Sequence, residues 1–121
     1  MANTFKVVTF AAEPASAGTP YVMYTVASST TAVVLGLVLS NINTTAVTAE
    51  VELVSTTSGR GGANNVANGT SFLIKDVNIP TGSSLEILSG GKVVLEAGDK
   101  IQIDCSVADK LSGTLSIMEI T

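Results

Sequence analysis

The sequence predicts an all-β fold: a two-sheet β-sandwich, jelly-roll-like, of about eight antiparallel strands. Three observations predict it. Val, Ile, Thr and Leu dominate short runs along the chain, and these residues suit a pleated, half-buried surface. Turn clusters such as Pro80-Thr81-Gly82, Ser89-Gly90-Gly91-Lys92 and Ala97-Gly98-Asp99 fall between the runs. No window long enough for a helix keeps an i, i+3, i+4, i+7 apolar stripe without a Gly, a Pro or a β-branched run interrupting it.

The strands follow in order. Segments 4–11 and 20–27 are the first two, joined by the polar loop "EPASAGTP" at 13–20. Next comes "AVVLGLVLSNI" at 32–42. It is apolar on both faces, which asks for cover on two sides, from its own subunit or from a neighbour. "NINTT" at 41–45 predicts a hairpin into "AVTAEVELV" at 46–54. There Val47, Ala49, Val51 and Leu53 point inward, with Thr48, Glu50, Glu52 and Val54 outward, a period of two. Segments 70–78, 84–88, 92–95 and 112–120 are further strands. Gly90-Gly91 predicts a tight hairpin between 84–88 and 92–95, because Gly accepts the positive φ such a turn demands. "IQIDCSV" at 101–107 repeats the alternation, with Ile101, Ile103, Cys105 and Val107 inward.

The chain of 121 residues reads as a single domain, 1–121, with one long Gly/Asn/Ser-rich loop at 55–71. That loop reads as mobile or as an arm ordered by a neighbour, and 13–20 as a shorter segment of the same kind. Charged residues make up 13% of the chain, against about 25% in an ordinary soluble domain. Such a surface suits a protein packed in an assembly. A Thr-rich β-protein with little need of charge reads the same way.

The chemistry-bearing residues are few. The formal charge is −4, with six scattered basic residues. No Lys/Arg cluster is present to neutralise a run of phosphates, so nucleic-acid binding is not expected. There is no Trp, and few aromatics, to stack bases or sugars. The chain has no His, which removes Ser-His-Asp catalysis, the His-based metal set of cupins and the usual activating base for a thiol. Cys105 therefore reads as a small buried hydrophobe. Glu50 and Glu52 read as a solvated face, without the spacing of a calcium loop. "SGRGGAN" at 58–64 lacks the Lys-Ser/Thr ending of a P-loop, and Arg60 reads as a loop residue open to a contact. The expectation is no catalytic, cofactor-binding or metal residue, and no cofactor. The N-terminus shows no signal-peptide pattern, and "AVVLGLVL" is too short to span a bilayer. No membrane partner is expected.

The stretch "IPTGSSLEILSGGKVVLEAGDKIQIDCSVADKLSGTLSIMEIT", 79–121, resembles the C-terminal half of small virion proteins of tailed bacteriophages. The shared features are an I-P-x-G-x-S-L-E run, a GGK-x-V-L-x-x-GD-x-I run, and a last strand ending apolar-acidic-apolar, here Met118-Glu119-Ile120. "VVLGLVLSNINTTAVTAEVEL" is similar to their unit of apolar strand, Asn-rich turn and alternating strand. The resemblance covers roughly residues 33–121, and its motifs are structural turns.

It implies a non-enzymatic virion structural protein made in the host cytoplasm, foremost a capsid cement or decoration protein stabilising the assembled head. A neck, collar, baseplate or tail-fibre-attachment component is the alternative. A ligand- or glycan-binding jelly roll for host recognition is a second. The implied partners are the major capsid protein, or neck and tail proteins, and further copies of the chain. The low charge, the two-faced 33–42 strand and the polar loops add the expectation of a symmetric homo-oligomer, most simply a trimer.

Overall fold

The computed structural model describes residues 2–55, 69–88 and 91–121. These form two antiparallel sheets packed face to face, a β-sandwich. The strands are β1 (Asn3–Glu13), β2 (Tyr21–Thr25), β3 (Thr31–Asn41), β4 (Val47–Val54), β5 (Thr70–Ile79), β6 (Ser84–Ile87), β7 (Val93–Leu95), β8 (Lys100–Cys105) and β9 (Leu111–Ile120). The first sheet runs β1-β9-β3-β6, with β7 also on β3, and the second runs β2-β8-β4-β5. The chain alternates between sheets at β1→β2, β2→β3 and β3→β4, and crosses again at β5→β6, β7→β8 and β8→β9. That interleaving is the double-sheet jelly-roll arrangement.

Nine segments fill eight strand positions. β6 pairs with Leu37–Ser40 and β7 with Ala32–Val34, both antiparallel to β3. They lie end to end as one interrupted edge strand. The hairpin expected at Ser89-Gly90-Gly91-Lys92 is therefore a correction: the strands flanking it do not pair with each other. From Ile87 to Val93 the edge advances six residues, while β3 advances three, from Leu37 to Val34. The Gly-Gly signal marked a break in one strand rather than a reversal. Ser89 and Gly90 themselves lie outside the described residues.

The hairpin expected at 41–45 is also corrected. β3 and β4 belong to different sheets, so this segment is a corner. Asn41, only 5% exposed, organises it. Its Nδ2 donates to the carbonyls of Thr45 at 3.0 Å and Ile79 at 2.9 Å, and its Oδ1 accepts from the Asn43 N–H at 2.7 Å. Thr81 Oγ1 donates to the Asn43 carbonyl at 2.7 Å. A short polar side chain that saturates the bend favours a corner over a regular ladder.

Residues 13–20 are held by bonds within their own chain. The Gly18 N–H donates to Asp104 Oδ1 at 3.2 Å, and the Thr19 N–H to the Ser16 carbonyl at 3.1 Å. Most of the expected 55–71 loop, residues 56–68 with Arg60 and "SGRGGAN", lies outside the described residues. Its base is closed by the Ser55 N–H donating to the Gly69 carbonyl at 2.8 Å.

The core fills the gap between the sheets. Leu37, Leu39, Leu115 and Ile117 come from the first sheet, and Val51, Ile79, Ile101 and Ile103 from the second. Each is fully buried, a gain of about 1.5–3 kcal/mol per side chain over exposure. The alternation expected for 46–54 holds at Val47, Ala49 and Val51. In the 101–107 segment it ends early. β8 stops at Cys105, and Val107 is exposed because the chain turns before it.

Candidate interaction surface

The two-faced strand has one face in the core and one face outward. On β3, Ala32, Val34, Leu37 and Leu39 are buried. A register shift between Val34 and Gly36 relative to β9 absorbs one residue, and the alternation resumes beyond it. Val33, Leu35 and Val38 are left half-buried on the outer side.

Strand pairing lines these residues up with others. Phe5 on β1 pairs with Met118 on β9, Met118 with Val33 on β3, and Val33 with Val94 on β7. An apolar row thus crosses the whole outer face of the first sheet. Its ends are its most open members, Phe5 at 72% and Val94 at 60% exposure. Val7, two residues along β1 on the same face, is 63% exposed. The neighbouring positions are mostly Ser and Thr, with Glu86 the one charged side chain that alternation places outward among the described residues of this sheet.

The outer face of the second sheet is polar. Glu50 accepts from Lys75 Nζ at 3.0 Å, and Glu52 Oε2 from Gln102 Nε2 at 2.7 Å. Lys75 also lies 4.6 Å from the centre of the Phe72 ring. The hydrogen bond to Glu50 holds the Lys75 ammonium above its ordinary pKa. Beside them a recess of about 130 Å³ is lined by Gly18, Thr48, Glu50, Asp76, Asp104 and Ser106. Of the two glutamates singled out by sequence, Glu50 is ion-paired across strands and Glu52 is hydrogen-bonded to a neutral amide. Among the described residues no three or more His, Cys, Asp or Glu side chains come together as a metal-binding group.

Cys105 is buried and free. Burial pushes its thiol above the ordinary pKa, reinforced by the Asp104 carboxylate, against lowering by hydrogen bonds from Val107 and Ser106. That is the opposite of an activated nucleophile.

One polar cluster the sequence reading missed joins three strands. Glu119 on β9 receives Lys6 Nζ at 2.7 Å from β1 and the Tyr24 hydroxyl from β2. These two hydrogen bonds hold the Glu119 carboxyl below its usual range. The available signal was the lone acid inside the last apolar strand, since a carboxylate in such a place requires partners.

No protein family matches this chain, and no curated protein does. Among solved structures, a chain from the disulfide-linked pili of Bacillus endospore appendages aligns with 99% of this chain and 87% of its own length. The identity is 18% and the TM-score 0.47.

Proposed function

We propose that this chain is a non-enzymatic structural protein of a tailed-bacteriophage particle, a cement or decoration subunit that strengthens the assembled head. The observation that carries the reading is the apolar row Phe5–Met118–Val33–Val94 on the open face of a two-layer sandwich. A contiguous apolar stripe facing water marks a contact surface. The resemblance of residues 33–121 to small virion proteins supplies the kind of assembly in which that contact is made. Jelly rolls also serve as viral capsid domains, an analogy of fold that supports the reading.

In this role the protein works by burial. The apolar row is covered by the capsid surface or by further copies, and the covered area links neighbouring capsid subunits. The second sheet, with its Glu50–Lys75 and Glu52–Gln102 pairs, faces water.

Copy counting by quantitative mass spectrometry of purified particles tests the proposal. Hundreds of copies per particle are expected of a head protein. A dozen or fewer would move the chain to the neck or tail, and absence from the particle would end the proposal.

A further inference from the structure

We propose that two copies of this chain pair edge to edge through β1, antiparallel across a twofold axis, so that their first sheets join into one continuous sheet.

The argument starts from the four sheet edges. An open edge strand is a template for another strand, and folded proteins guard such edges with breaks, bulges, charges or short length. Three edges here are guarded. The β6/β7 edge is interrupted between Ile87 and Val93. The β5 edge carries two register shifts against β4 and a positive φ of 51° at Asp76. β2 is five residues long with a register shift between Val22 and Tyr24.

Over Asn3–Phe10 β1 has neither a break nor a bulge. It runs in unbroken register with β9 across those eight residues. Its one charge over this stretch, Lys6, is ion-paired to Glu119 at 2.7 Å. Among the described residues it pairs on one side alone, and it carries the two most exposed large apolar side chains, Phe5 and Val7.

Charge and area select a second copy as the occupant. Over Asn3–Phe10 and along β2 the flank carries no charge apart from the Lys6–Glu119 pair, with Glu13 beyond at the far end of β1, while Glu50, Glu52, Asp104 and Asp76 sit on β4, β8 and β5. A charged partner finds no counter-charge on this flank, whereas a second copy meets it without repulsion. Eight paired residues extend roughly 26 Å at about 3.3 Å each, and two sheets about 10 Å apart make a flank roughly 20 Å deep with side chains. That gives roughly 500 Å² per copy and about 1,000 Å² in all, the lower bound for a specific interface. Of the registers that keep both faces intact, one centred on Lys6 opposes two ammoniums, which is unfavourable. The register centred on Val7 brings two valines together on the outer face. Pairing of like edges is twofold, so it gives a dimer in place of the trimer expected from sequence.

The inference rests on the proposed structural role, but its test uses free protein and is separate from copy counting. Sedimentation velocity on the full chain at tens of micromolar should give a dimer. Val7→Lys should weaken association at least about tenfold, because like charges then oppose each other at the axis, with an unchanged circular dichroism spectrum. Phe5→Lys is the second variant if the first fails to fold. Ile42→Lys, exposed at the β3–β4 corner and outside the apolar row, should dimerise as the native chain does. Hydrogen exchange on the unaltered protein should show β1 amides losing protection on dilution. A native monomer, a native trimer, or a dimer lost in Ile42→Lys but kept in Val7→Lys overturns the proposal.

Discussion

The Tyr24 hydroxyl donates a 2.5 Å hydrogen bond to Glu119 Oε2 across the gap between the two sheets. This closes the sandwich on its β1–β2 side, where Lys6 meets the same carboxylate. Removing the bond with Tyr24→Phe should cost about 1.5–3 kcal/mol, the range of hydrogen bonds to a charged group. Lys6 is half exposed, so Lys6→Met should cost less than about 1 kcal/mol. Urea denaturation of both variants checks the order of the two effects.

The same cluster gives a pH dependence. The folded Glu119 carboxyl lies below its ordinary value of 4.5. Its contribution is complete above that value and is lost as the pH falls through the folded pKa. The Tyr24 hydroxyl is raised from 10.0 by burial and by Glu119. Its contribution is complete below 10.0 and is lost at more alkaline pH. Glu119→Gln should flatten the acid limb of a stability-against-pH curve, and Tyr24→Phe the alkaline limb. Chemical denaturation across pH reads both.

Gly113 on β9 lies beneath the Phe10 ring, and a Cβ there would collide with the ring's edge. Phe10 in turn meets Tyr21 edge-on, with centroids 5.4 Å apart. Gly113→Ala should cost about 1–3 kcal/mol by overpacking. Phe10→Leu in the same chain should recover part of the loss, since residues in contact are not additive. Thermal melts of the two single variants and the double variant measure that coupling.

Asn41→Ala removes three hydrogen bonds at the β3–β4 corner and leaves the buried Ile79 carbonyl without its amide donor. The expected loss is about 2–4 kcal/mol, since an orphaned buried acceptor loses its full solvation. Asn43→Ala, on the exposed side of the same corner, should cost far less. Melting temperatures compare the two directly.

Cys105 is 3% exposed. The native protein should resist a thiol reagent at neutral pH and react fully only in denaturant. Rapid native labelling, followed by absorbance, would contradict the packing described for β8.

The sandwich was legible because alternation is a local property. Val47, Ala49 and Val51, or Ile101 and Ile103, announce a buried face within a few residues. Strand partnership is not local. Asn41–Thr45 and Ser89–Lys92 both carry turn chemistry, and the same residues serve a hairpin, a corner between sheets or a break in an edge strand. Which one forms depends on where β9 and β3 lie, far away in sequence. The outward row was hidden for a related reason. "TFKVVTF" has apolar residues on both faces, so only the pairing of Phe5 with Met118 shows which side is left open.

Cryo-microscopy of purified particles tests the central claim most directly, because it sees the subunit in place. The account predicts two-layer sandwich density at repeated positions on the head lattice, with the Phe5–Met118–Val33–Val94 row covered by protein. Intact particles that carry no such density, or a subunit bound there with that row facing solvent, would contradict it.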